Sequence, residues 1–242
     1  ASVALSSTLD RLDEVVGSRV EARAAMVVGW QQWWAAEGES HPTSLLRYLD
    51  EAHRYHRALR ALGVTVDMVR PGDDLTEYAL VVLPTFYAPS DADVQAVTRA
   101  VTAGTSIVVT PFSGIADETD AIRLGGYPGA FRDLLGITID ELRPLADGAT
   151  VRLASGDEAT IWTDSIRLTG AEAHDHFATG PAAGSPAITR RTHGDATAWY
   201  VGTVLADNAL ARLLAEVCES ASVPVAEVGP DADLVVRRGP HA

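Results

Sequence analysis

Four short strand-like runs recur along the first half of the chain, the first and third almost continuously apolar: ARAAMVV (Ala22–Val28), VTVDMV (Val64–Val69), ALVVLP (Ala79–Pro84) and TSIVVTPF (Thr105–Phe112). A strand with one face in water alternates apolar and polar residues. A continuous run requires burial on both faces, as in a parallel sheet. Helical patterns separate the runs. TSLLRYLDEAHRYHRALRALG (Thr43–Gly63) places Leu45, Leu49, Ala52, His56 and Leu59 on one face and ends at a glycine, the usual helix stop. Ser90 to Asp93 has the form of a capping box with Asp in place of Glu, and opens a helix with Val94, Val97 and Val101 inward. The alternation β-α-β-loop-β-α-β implies a doubly wound, mostly parallel α/β sheet with right-handed crossovers.

After a long glycine-rich loop (residues 113–130) and a short helix near Phe131–Leu135, the segments from Gly136 to Gly202 turn short and β-like. This half reads as a β-rich insertion or extension on one domain. It is followed by a helix over Asp207–Ala221, with Asp207 as N-cap and Leu210, Leu213, Leu214 and Val217 inward, and a terminal strand, Asp233–Arg238. Residues 4–17 read as a short amphipathic helix carrying Leu5, Leu9, Leu12 and Val16.

The formal charge of −14 argues against a nucleic-acid partner. All 19 basic residues are Arg, which excludes Schiff-base lysine chemistry and a P-loop. One cysteine, Cys218, makes neither an intrachain disulfide nor a cysteine-rich zinc site. It sits inside the last helix, where a small core residue is expected rather than an activated thiol. No apolar stretch is long enough to span a membrane. A cytoplasmic setting is the expectation, with no membrane partner.

Local chemistry is sparse. Asp117-Glu118-x-Asp120 could supply a glycosidase carboxylate pair, but charge clusters in loops are commonly just hydrated. Ser113 lacks the glycine that precedes a nucleophile elbow. His174 and His176 could face one way on a strand, without an obvious third metal ligand. LGGYPG (Leu124–Gly129) lacks the dinucleotide spacing. His56 shares a helix's apolar face and reads as a core histidine, with His53 one turn earlier. No catalytic residue, metal ligand or cofactor is assigned.

The stretch GWQQWWAAEGESHP (Gly29–Pro42) is the anomaly. Loops cover themselves with small polar residues, and this one carries three tryptophans. Trp30 is expected to fill the top of the sheet's own core. Trp33 and Trp34 are expected to meet a neighbouring domain or subunit, since tryptophan is enriched at interface cores. The rival is a loop folded back on its own helix, with Trp34 near Tyr48.

The stretches WQQWWAAEGESHPTSLLRYLDEAHRYHRALRALGVTVDMVRP, FSGIADETDAIRLGGYPGAFRDLLGI, AITRRTHGDATAWYVGT and LVVRR resemble the trimerisation domain of family 42 glycoside hydrolases, the bacterial β-galactosidases. The resemblance runs over nearly the whole chain. It implies a flavodoxin-like or class I glutamine amidotransferase-like fold over residues 1–242. The doubly wound half would be 1–135, the β-rich part 136–205, and the closing helix and strand 206–242. It further implies a catalytic (β/α)8 barrel elsewhere on the same polypeptide and self-association as a trimer. No residue here matches the family's catalytic glutamates. The expected oligomer or barrel contacts are Trp33, Trp34, Glu37, His41, Phe112, Asp117, Glu118 and Tyr127. A carbohydrate-binding module using the Trp loop and a stand-alone amidotransferase-like enzyme are the alternatives.

Overall fold

The computed structural model describes residues 6, 9, 11–12, 15–226, 228, 232 and 234–239. Half of the helix expected over residues 4–17 lies outside them. Of its expected inward residues, Leu9, Leu12 and Val16 are described, and all three are exposed. The chain opens with a two-residue strand β1 (Arg19–Val20), then β2 (Ala24–Val27), helix α1 (Trp30–Ala36), α2 (Tyr48–Ala61), β3 (Val66–Val69) and β4 (Leu80–Leu83). It continues through α3 (Asp91–Thr102), β5 (Ser106–Val109) and a short α4 (Arg132–Leu135). The second half holds β6 (Ile137–Pro144), β7 (Thr150–Arg152), β8 (Glu158–Leu168), β9 (Glu172–His176), β10 (Pro186–His193), β11 (Ala196–Val201) and β12 (Thr203–Leu205). Helix α5 (Asp207–Ser220) and β13 (Arg237–Arg238) close it.

The fold is α/β with mixed sheets. The main sheet runs β3-β2-β4-β5-β11-β10-β9. Its first five strands are parallel, and β10 and β9 join antiparallel. Every residue of β2, β4 and β5 is buried, so both faces are covered, as the continuous apolar runs demand. On one face Met26, Val82 and Val108 pack with Tyr55 and Leu59 of α2 and Leu210, Leu214 and Val217 of α5. On the other, Val81, Leu83 and Ile107 pack with Val97 and Val101 of α3 and with Leu135 of α4.

Three details depart from the sequence reading. Helix α2 begins at Tyr48, and its buried residues are Tyr48, Glu51, Ala52, Tyr55 and Leu59. The aromatic side chains thus turn inward, and Leu49 and His56 stand at the margin. Glu51 goes down with Arg54 as an ion pair of 2.7 Å, because a buried carboxylate needs a partner. Asp207 is the first helical residue of α5 rather than its cap, and it accepts from Arg54 and Arg57 of α2. The capping box at Ser90 and Asp93 is present with both reciprocal bonds. Finally, the β-rich half is only partly an appendage. It supplies β9, β10 and β11 to the main sheet and builds a second antiparallel sheet of β12, β8 and β6, with β7 on β8.

Asp164 ties the two sheets together. From β8 it accepts Trp162 Nε1 at 2.8 Å and bonds Tyr200 Oη of β11 at 2.6 Å, fully buried. No cation accompanies it in these bonds. Burial therefore pushes its carboxyl up to about 7, against the hydrogen bonds from Tyr200 and Trp162 that favour the anion. The folded value lies above the ordinary one. The stabilising contribution of the protonated form is thus complete below the ordinary carboxyl range and is lost as pH rises through about 7. Asp164→Asn retains an acceptor for Trp162 and a donor for Tyr200 without the charge. Urea unfolding at pH 5 and pH 8.5 should show the wild type losing ~2–3 kcal/mol relative to this variant across that interval. Parallel pH dependence of the two proteins would contradict the assignment.

Candidate functional site at the carboxyl edge of the sheet

In an open parallel sheet every β-to-α connection leaves at the carboxyl edge, where ligands ordinarily bind. Here that edge is filled by aromatic rings. Phe112 follows β5 with a left-handed backbone (φ 61°). Its ring lies 4.8 Å from Tyr87, 4.9 Å from His41 and 5.2 Å from Trp162. Thr85, just past β4, is also left-handed (φ 40°). Such turns are costly for a side chain with Cβ, and buried hydrogen bonds hold these. Thr110 Oγ1 accepts from Thr85 N at 2.7 Å, Ser113 Oγ accepts from Phe86 N at 2.9 Å, and Ser113 Oγ donates to Thr110 O at 2.8 Å. A strained turn after a strand is where an α/β hydrolase displays its nucleophile. In this chain the turn presents a buried phenyl ring, and the neighbouring hydroxyl is committed to backbone.

The tryptophan stretch is a helix, α1, rather than a loop. Its inward residues are Gln32 and Ala36. Gln32 Nε2 donates to Ala88 O and its Oε1 accepts from Ala88 N, both at 2.8 Å, so one buried amide clamps the helix to the turn after β4. Tyr48 Oη accepts from Gly29 N at 3.0 Å and fixes the helix start. With Gln32 inward, helical geometry turns Trp30 and Trp34 outward. They are 69% and 67% exposed. The expectation that Trp30 fills the sheet's core is overturned, because its side of α1 points away from the sheet. Trp33 is half-buried and packs against the edge cluster to which Tyr48 and Phe112 belong. Trp34 is exposed and does not take the place expected for it beside Tyr48, while Trp33 and Tyr48 line the same groove. The indoles also meet one another, Trp30 to Trp33 at 5.5 Å and Trp30 to Trp34 at 6.4 Å.

Glu37 and His41 act beneath this platform. Glu37 Oε1 accepts from Tyr48 N, the first amide of α2, at 3.2 Å, and Oε2 lies 3.7 Å from Arg47, a carboxylate where the helix dipole favours one. His41 Nδ1 bonds Ala36 O at 2.9 Å while its ring sits against Tyr87. In the long loop, Asp117 Oδ1 accepts from Thr119 N, Thr119 Oγ1 and Ala121 N. These bonds, led by the Thr119 hydroxyl, hold its carboxyl below the ordinary range, unlike a general acid, whose carboxyl is raised. Glu118 is exposed, and Tyr127 is half-buried where the loop bridges to Ile139. Arg123 anchors the loop on Asp91 Oδ1 and Pro89 O, leaving Leu124 outside at 92% exposure.

The remaining candidates are placed away from this edge. Cys218 is buried in α5, and burial pushes its thiol up to about 11, so an amidotransferase-like thiolate is excluded there. His174 and His176 lie on β9. His174 is 3.4 Å from Glu216 and edge-on to Trp199. Among the described residues no group of three or more His, Cys, Asp or Glu is placed to hold a metal ion, and no helix is long and apolar enough to cross a membrane. Sequence reasoning missed Gln32. Its only signal was a polar residue at the helical position opposite Trp30 and Trp34, and that signal needed the helix to be recognised first.

Residues 22–224 match the family model described as the β-galactosidase trimerisation domain. The chain is 42% identical over 240 residues to a β-galactosidase of an Arthrobacter species, covering 98% of this chain and 34% of that protein. It is 39% identical over 237 residues to a β-galactosidase of Geobacillus kaustophilus, covering 96% and 35%. Among solved structures, the β-galactosidase from Bacillus circulans sp. alkalophilus superposes with a TM-score of 0.87 at 30% identity, over 95% of this chain and 35% of that one. The cold-adapted β-galactosidase from Rahnella sp. R3 gives 0.86 at 31%, over 91% and 34%. The chain spans about a third of the length of the relatives it matches.

The clamp is testable. Gln32→Ala leaves the Ala88 N–H and C=O unsatisfied in a buried place and should destabilise the chain by ~2–4 kcal/mol in urea unfolding. Gln31→Ala, on the exposed side of α1, should stay within ~0.5 kcal/mol of wild type. Equal effects of the two would contradict the orientation of α1.

Proposed function

The chain belongs to the β-galactosidase trimerisation domain family of the family 42 glycoside hydrolases, and from that premise we propose that it is the non-catalytic oligomerisation domain of a longer β-galactosidase. The observation that carries this reading is the inversion at the carboxyl edge. The crevice position is plugged by Phe112, Tyr87, His41 and Trp162, while apolar surface is lifted outward on Trp30 and Trp34. A binding crevice does the reverse. The parent protein would hydrolyse terminal β-galactosides on a (β/α)8 barrel of the same polypeptide, in the cytoplasm, and would assemble as a trimer. The domain would comprise residues 1–242, divided as the sequence suggests. The parallel strands in the order β3-β2-β4-β5-β11 support a flavodoxin-like reading, since this is the 2-1-3-4-5 order of that doubly wound type.

Of the contact residues expected from sequence, we take Trp34 and Glu118 as surface contacts, with Trp30 and Leu124 added. Trp33, Glu37, His41, Phe112, Asp117 and Tyr127 shape the platform from within. Each outward indole leaves about two-thirds of its area exposed. At ~200 Å² per indole and ~25 cal/mol per Å², covering the pair is worth roughly 7 kcal/mol per copy before association costs.

In the full-length protein, Trp30→Ala/Trp34→Ala should turn a trimer into smaller species in sedimentation velocity, with the melting temperature of this domain within a few degrees of wild type. The 242-residue chain alone should not hydrolyse a chromogenic galactoside. Hydrolysis by the purified chain at the rate of a whole enzyme, or an unchanged trimer in the double variant, would overturn the reading.

A further inference from the structure

The two flanks of α1 are chemically unlike. On one side, Trp34 and Ala35 border a shallow pocket of about 310 Å³ whose far wall is Asp117, Glu118 and Asp120. On the other, Trp30 and Trp33 border an apolar groove of about 440 Å³ closed by Leu49, Met68 and Arg70. Arg70 is the cation of that rim. It is 85% exposed, with Asp73 at 3.3 Å as its partner within the chain. Helical spacing explains the division. Gln32 and Ala36 face inward, so Trp30 and Trp34, one turn apart, form the crest, with Trp33 falling to one side of it and Ala35 to the other.

We propose that each flank is occupied by another copy of this chain. The α1 crests would gather about a threefold axis, with the Glu118–Asp120 side of each copy against the Arg70 side of the next. The proposal rests on the oligomerisation reading above and specifies its surface. A closed ring of identical subunits requires two different, mutually complementary patches on each copy. One helix with an acidic flank, an Arg-bearing flank and an apolar crest between them provides both. The charge of the chain sharpens the point. At −14 identical copies repel, and an acidic loop beside an exposed indole is an unfavourable place for self-contact unless a neighbour brings a cation. Trp34 and the carboxylates together suit a guanidinium, the ring by its face and the carboxylates by charge.

The test is a charge exchange in the full-length protein, read by sedimentation velocity across a dilution series. Arg70→Glu alone and Glu118→Arg alone should each weaken assembly ~10-fold or more, because each reversal sets like charges together at all three contacts. The Arg70→Glu/Glu118→Arg pair should restore assembly to within ~3-fold of wild type, the non-additivity expected of groups in contact. Both side chains are solvent-facing, and thermal melting of each variant checks that the fold is kept. A trimer unaffected by either single variant, or lost in both and not recovered in the pair, overturns this inference and leaves the oligomerisation reading standing. A wild-type protein that is monomeric at all concentrations overturns both.

Discussion

A parallel sheet buried on both faces imposes the geometry of everything else in this chain. Residues 24–27, 80–83 and 106–109 are solvent-inaccessible, so α2 and α5 must cover one face and α3 and α4 the other. Crossovers of one hand then deliver all the β-to-α turns to a single edge. What that edge does is decided by the few side chains placed there. Gln32 satisfies Ala88 and points its helix's tryptophans outward, while Phe112 occupies a left-handed turn and closes the crevice. The carboxyl edge that offers a ligand site in many open α/β sheets here carries a raised helix.

The second sheet shows how the β-rich half becomes part of the same body. β11 enters the main sheet parallel to β5, and Tyr200 on it reaches Asp164 of β8. Burial favours the neutral acid of this carboxyl, against the indole N–H and phenol that hold it. The junction between the sheets is therefore set by hydrogen bonding rather than by charge.

The three central strands β2, β4 and β5 were legible from residues because a buried parallel strand leaves no alternation to misread, whereas β3 is the edge strand and leaves Met68 exposed. The inward residues Leu210, Leu213, Leu214 and Val217 of α5 were legible for the matching reason, an uninterrupted apolar stripe. Helix α2 was read one position off because its core face is built of Tyr48, Tyr55 and an ion-paired Glu51, which count as polar in a pattern. Helix α1 was hidden altogether. Seven residues form too short a window for periodicity, and its inward residues are a glutamine and an alanine. Inverting the usual rule, apolar outside and polar inside, made three tryptophans look like a loop that had to be buried. Composition singled out this region, but which indoles face outward is set by the bonds to Ala88.

The central claim is that Trp30 and Trp34 are exposed in this chain and covered in the assembled protein. Hydroxyl-radical footprinting reads it directly, by oxidation of each tryptophan in the 242-residue chain and in the full-length oligomer. The account predicts ready oxidation of Trp30 and Trp34 in the chain alone, slow oxidation of buried Trp162 and Trp199 in both, and strong protection of Trp30 and Trp34 on assembly. Oxidation of Trp30 and Trp34 at the same rate in the chain and in the oligomer would contradict it.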